Sequence, residues 1–124
     1  MDQGVLVDGG HALIDLLDAD GTPPRAVVWI INNEADTRKL WVVPHKSVTD
    51  LREFYRRIST LVSAKRSAVH GLEASDVEMI KEDHPAITGL KFVARAPGKQ
   101  VIQLTRGKFN GFFLPDSIIL RMNL

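Results

Sequence analysis

The amino-acid sequence predicts an α+β fold: an antiparallel sheet of about four or five strands, with one long helix over residues 48–69 packed on it and two shorter helices. Three observations carry that expectation. Val48, Leu51, Phe54, Tyr55, Ile58, Leu61 and Val62 recur at three- and four-residue spacing, the stripe of an amphipathic helix. Two β-branched and aromatic runs, residues 26–31 and 40–43, flank the turn-forming stretch Asn32-Asn33-Glu34-Ala35-Asp36, which is the pattern of a β-hairpin. Toward the C-terminus, strand-like runs are punctuated by Pro97-Gly98, Asn110-Gly111 and Pro115-Asp116. The 124 residues, 44% hydrophobic and 25% charged, fit a single domain over 1–124 and exclude a disordered or collagen-like chain. Cysteine is absent, which removes thiolate metal sites, thiol nucleophiles and redox switches together.

In chain order, Gly9-Gly10 precedes a short first helix in which Leu13, Leu16 and Leu17 take helical spacing and Gly21 supplies the stop. Thr22-Pro23-Pro24 cannot continue it, and the hairpin follows. Both hairpin strands are apolar at consecutive positions, so both of their faces need cover. Helices on one side only would leave the other face as a dimer interface. Ser47 is the expected N-cap of the long helix, with Asp50 three residues on and His70-Gly71 at its end. Residues 76–80 alternate partially and read as a third strand. Residues 86–96, after His84-Pro85, admit both helix and strand, and propensity does not separate the two. Residues 100–105 resume strand composition, 106–111 are turn-rich, and 112–114 with 117–120 complete the sheet. The apolar run 118–124 is expected to be packed rather than frayed.

Several of these segments carry a resemblance. Leu16-Leu17-Asp18 through Gly21-Thr22-Pro23-Pro24-Arg25-Ala26, Phe54-Tyr55-Arg56-Arg57-Ile58, Pro97-Gly98 and Asn110-Gly111 through Asp116 resemble a group of small uncharacterised bacterial α+β proteins over most of the chain. The resemblance implies a third helix after His84-Pro85 and implies no activity, cofactor or site. The chain departs from that pattern at Lys99-Gln100 and Leu114-Pro115.

The net charge of +1 conceals four blocks: −6 over residues 1–36, +6 over 37–70, −4 over 71–86 and +5 over 87–124. Such blocks either neutralise one another in the fold or leave a basic face for an anionic partner. Arg52, Arg56, Ser59, Ser63 and Arg66 share a polar stripe of the long helix. Arg52 and Arg56 are like charges at i,i+4, a local cost of ~0.2–0.5 kcal/mol unless an anion sits above them, whereas Glu53 is placed to pair with Arg57. A second basic set, Lys91, Arg95, Lys99, Arg106 and Lys108, lies near Phe109, a candidate stacking ring. Arg52, Arg56, Arg66, Arg106 and Lys108 are therefore the candidate nucleic-acid or anion contacts. Trp29 and Trp41, one on each hairpin strand, read either as core or as a cross-strand pair anchoring an interface.

Other chemistry finds little support. Asp18-Ala19-Asp20-Gly21 begins like a calcium loop, but the twelfth position would be Trp29 rather than Glu. Gly98-Lys99 and Gly107-Lys108 lack the upstream glycine of a phosphate loop, and no Gly-x-Ser-x-Gly elbow is present. The four histidines, His11, His45, His70 and His84, form no H-x-H or H-x-x-x-H pair. No metal site and no cofactor is expected. The expected function is a non-enzymatic interaction module, a homo-oligomer or accessory subunit of a bacterial protein system with a protein partner. A nucleic-acid-binding protein is the first alternative. A small metal-dependent hydrolase or nuclease, built on Asp83, His84 and Asp116, is the second. The N-terminus lacks the basic start and apolar run of a secretory signal, and no apolar stretch reaches ~18 residues. A cytoplasmic protein without membrane association is expected.

Overall fold

Two glycines set the first packing contact. The computed structural model, which describes residues 3–124, places Gly9 and Gly10 inside helix α1, Gln3–Ala19, rather than ahead of it. Helical glycines cost about 1 kcal/mol each relative to alanine. Here they permit close approach. A Cβ on Gly10 would collide with the Leu120 side chain and stand 3.1 Å from Trp29 Nε1, and one on Gly9 would stand 2.8 Å from the Val69 carbonyl oxygen. With 17 residues α1 is longer than the segment expected to be the long helix, α2, which spans the 14 residues Leu51–Ala64.

The shortening of α2 has a local cause. Asp50, not Ser47, is its N-cap, accepting the Arg52 amide at 3.0 Å. At the other end Lys65 closes the helix by donating to Leu61 and Val62 carbonyls. Val69 and Leu72 remain buried through a turn that uses positive φ at His70 and Gly71, so the apolar pattern outlasts the helix.

The hairpin forms as expected: β1, Ala26–Asn32, pairs antiparallel with β2, Thr37–Val43. Its register puts Trp29 level with Leu40 and Val28 level with Trp41. The two tryptophans therefore lie on opposite faces of the sheet and do not pair. The third strand, β3, Val77–Met79, runs parallel to β2, which makes the sheet mixed and corrects the antiparallel expectation. Because α2 carries the chain from β2 back to its neighbour, the returning strand points the same way. This edge of the sheet is closed: the Val77 amide donates to Ala74, and the Met79 amide to the Tyr55 hydroxyl at 3.0 Å.

Residues 86–96 resolve largely as helix α3, Pro85–Val93. Pro85 opens the helix, where a missing N–H costs nothing, and His84 Nδ1 caps it by accepting the Ala86 amide at 3.1 Å. Strands β4, Ile102–Leu104, and β7, Asp116–Met122, complete a five-stranded sheet of order β3-β2-β1-β7-β4. Between them β5, Gly107–Phe109, and β6, Phe112–Leu114, form a separate two-stranded hairpin closed by Asn110 and Gly111, both at positive φ. Pro115 separates β6 from β7, which lets the hairpin leave the main sheet.

The result is three layers. Helices α1 and α2 pack on one face of the sheet through Leu13, Ile14, Phe54 and Ile58 against Val27, Trp29, Leu40 and Leu120. On the other face, α3 and the β5–β6 hairpin pack through Ile87, Leu90 and Leu114 against Val28, Ile30, Ile119 and Met122. That double cover is why β1 is apolar at consecutive positions. The hairpin meets α3 at Gly89, where a Cβ would stand 2.8 Å from the Phe109 carbonyl carbon and 3.0 Å from the Asn110 nitrogen. Since backbone cannot yield as a side chain does, Gly89→Ala is expected to destabilise by about 1–3 kcal/mol and to loosen the hairpin first. Urea titration together with amide exchange of residues 107–114 measures both effects.

The charge blocks neutralise one another in part. Acids of residues 1–36 reach bases of the two basic blocks: Asp20 to Arg57 at 2.6 Å, Asp18 to Arg121 at 2.8 Å, Asp15 to Lys99 at 3.0 Å and Glu34 to Arg106 at 3.3 Å.

Candidate functional site

Because the chain covers both faces of its own sheet, the apolar groups left outside become informative. Six large hydrophobic side chains are exposed among the described residues, and five of them fall within residues 92–113: Phe92, Val93, Val101, Phe112 and Phe113, with Leu51 elsewhere. Helix α3 and the β5–β6 hairpin position four of these. The α3 face that receives the hairpin at Gly89 continues three and four residues later in Phe92 and Val93. These emerge one turn beyond the contact, 79% and 59% exposed.

On the hairpin, pairing decides which rings are presented. Phe109 is paired with Phe112, and Lys108 with Phe113, and paired residues share a face. Phe109 and Leu114 join the core, so Lys108 and Phe113 point outward, the latter 57% exposed. Phe112 sits at the rim, its ring 4.8 Å from that of His84, which in turn lies 5.0 Å from Trp41. With Nδ1 occupied as the α3 cap, the neutral His84 ring carries its proton on Nε2. Phe113 also walls a cleft of about 170 Å³ with Ile31, Arg106, Pro115 and Asp116.

The electrostatics of this layer are one-sided. Residues 84–115 contain no Asp or Glu. Of the bases in 87–124, Lys99, Arg106 and Arg121 are taken by Asp15, Glu34 and Asp18. Lys91, Arg95 and Lys108 are exposed and have no acidic partner among the described residues. Lys91 Nζ lies 5.9 Å from the centre of the Phe92 ring.

The residues singled out from sequence fall in several places. Arg106 donates to Glu34, and its amide donates to Asp116 Oδ1 at 2.9 Å. Lys108 stands beside Phe113, not beside Phe109, which turns inward. Arg52 and Arg56 are exposed on α2 without an acidic partner among the described residues, whereas Arg66 lies beyond the helix end and off their stripe. Arg57, in the same turn, is held by Asp20 and Glu53, and the hydrogen bond to Asp20 and then that to Glu53 raise its guanidinium pKa above the ordinary value. Trp29 is 1% exposed and donates its Nε1 proton to the Leu6 carbonyl at 2.7 Å, an internal role. Trp41 is half-buried against His84 on the other face.

Asp83, His84 and Asp116 do not converge. Asp116 lies three residues along β7 from Ile119, which is level with Trp41 through Val28, and so faces the side of the sheet away from His84. No group of three or more His, Asp or Glu side chains among the described residues is placed to hold a metal ion. No helix there is long and apolar enough to cross a membrane.

Fold and surface together define a three-layered α+β domain with an aromatic and basic outer layer on α3 and the β5–β6 hairpin. No family model, curated protein or solved structure matches the chain. The layer itself escaped the reading by motif, although the Phe112-Phe113 doublet and the acid-free span 84–115 were its sequence signals.

Proposed function

We propose that this chain is a non-enzymatic interaction module, a cytoplasmic accessory subunit of a bacterial protein system, which docks a partner protein on the layer formed by α3 and the β5–β6 hairpin. The observation that carries the reading is the concentration of exposed large hydrophobics in residues 92–113 on a chain whose sheet is covered on both faces. Exposed aromatics grouped in this way are the usual composition of a binding surface. The first hairpin loses its claim as a homodimer face, since α1 and α2 cover one side of it and α3 with β5–β6 the other.

The reading is tested by panning a random peptide library on the wild-type chain and on a Phe92→Ser/Phe113→Ser double variant. Both positions are exposed, so the double variant is expected to melt within about 1 kcal/mol of wild type. Peptides enriched on wild type and absent from the double variant are the expected result. Enrichment that is equal on the two proteins, or none, would contradict the reading.

A second reading rests on Arg52 and Arg56, which stand at i,i+4 on α2 with no acid to offset them among the described residues. Nucleic-acid binding at that face, with Arg106 and Lys108 on the far layer as a second contact, predicts oligonucleotide affinity that falls steeply with salt. Arg52→Ala/Arg56→Ala is then expected to weaken binding and flatten the salt slope by about two. Unchanged affinity in that variant removes the assignment.

A further inference from the structure

The docking layer also specifies the chemistry of what it docks. Resting on the reading above, we infer that the partner presents an acidic segment with apolar anchors, in which carboxylates meet Lys91, Arg95 and Lys108 while leucine or phenylalanine side chains pack on Phe92, Val93 and Phe113.

Three observations support this. First, the charges and the apolar groups interleave: Lys91 flanks the Phe92 ring at 5.9 Å, and Lys108 is the cross-strand neighbour of Phe113. Second, the molecule's own acids do not reach them. Asp20, Asp15, Glu34 and Asp18 of the acidic N-terminal block pair with Arg57, Lys99, Arg106 and Arg121, and the span 84–115 supplies no carboxylate of its own. Lys91 and Lys108, beside exposed rings, and the exposed Arg95 are thus left for an outside counter-charge, and potentials across an interface are arranged to be complementary. Third, the patch contains Val93 as well as rings. Methyl groups pack against a side chain of a protein, but offer no π-face on which a base could stack. A protein partner is favoured over a single-stranded nucleic acid.

The probes are a fluorescein-labelled peptide repeating Glu-Leu-Asp-Phe and its counterpart repeating Gln-Leu-Asn-Phe, read by fluorescence anisotropy against the full chain. A labelled oligothymidine and phosphatidylglycerol vesicles are run beside them. Three solvent-exposed pairs, each contributing modestly, amount to about tenfold in affinity. The acidic peptide is therefore expected to bind about tenfold more tightly than the amide peptide at low salt, and Lys91→Glu/Arg95→Glu/Lys108→Glu is expected to erase or invert the preference. Equal binding of both peptides, lost in Phe92→Ser/Phe113→Ser, would overturn the acidic partner and leave the docking surface standing. Peptide binding that is the same for wild type and Phe92→Ser/Phe113→Ser would overturn the docking surface and the inference with it. Oligothymidine or vesicle binding that requires Phe92 and Phe113, with no preference for the acidic peptide, would overturn the protein partner. A second copy as the occupant would show as a rise in solution mass lost in the same double variant, and would equally overturn it.

Discussion

Replacing Trp29 with alanine is expected to cost about 3–5 kcal/mol of stability, the range for deleting a fully buried large aromatic side chain. Trp29 is central to the β1 register and closes the contact between α1 and the sheet, with its indole beside Gly10 and its Nε1 proton on the Leu6 carbonyl. Truncation leaves a cavity between those layers and removes the indole's hydrogen bond to the Leu6 carbonyl. Phenylalanine at the same position keeps most of the volume and loses the hydrogen bond, so Trp29→Phe is expected to cost about 1–3 kcal/mol. Chemical denaturation of the two variants checks the values. A loss for Trp29→Ala no larger than that of a surface substitution would show that the indole is not part of the core.

Arg121 carries the second large effect. Its guanidinium is buried at the end of β7, donating to both Asp18 carboxylate oxygens at 2.8 and 3.0 Å, to the Gly98 carbonyl at 3.2 Å and to the Pro24 carbonyl at 3.3 Å. One side chain thus ties the end of α1, the Pro24 loop and the segment before β4 to the sheet. Arg121→Met preserves much of the stem and removes every one of these bonds. Breaking a buried pair costs about 3–5 kcal/mol when the other charge stays buried. Asp18 is partly exposed and can be rehydrated, so the expected loss is about 2–3 kcal/mol. Asp18→Asn alone is expected to cost less, because the carbonyl partners remain. A double-mutant cycle separates the two contributions, and full additivity would show that Asp18 and Arg121 do not act as a pair.

What could be read from the sequence was whatever has a short-range cause. The β1–β2 hairpin was legible because its turn residues and β-branched runs are local, and the α2 stripe because helical spacing is local. The extent of α1 was not legible. Gly9 and Gly10 look like helix breakers until Val69, Leu120 and Trp29 are brought against them by the fold. The direction of β3 was hidden for the same reason, since it is set by the α2 crossover and not by its three residues. The same limit governed the site. Phe109 and Phe113 are equivalent in sequence, and only the pairing of Lys108 with Phe113 and the packing of Gly89 on Phe109 decide which ring faces outward. Trp29 and Trp41 are both large rings on apolar strands, yet strand register places one in the core and the other against His84.

The most direct measurement is an amide nitrogen–proton NMR titration of the wild-type chain with the acidic Glu-Leu-Asp-Phe peptide. The account predicts perturbations concentrated at residues 91–95 and 107–113, with α1 and the exposed face of α2 unmoved and with the shifts abolished in Phe92→Ser/Phe113→Ser. Perturbations centred on Arg52 and Arg56, or spread evenly over the chain, would contradict it.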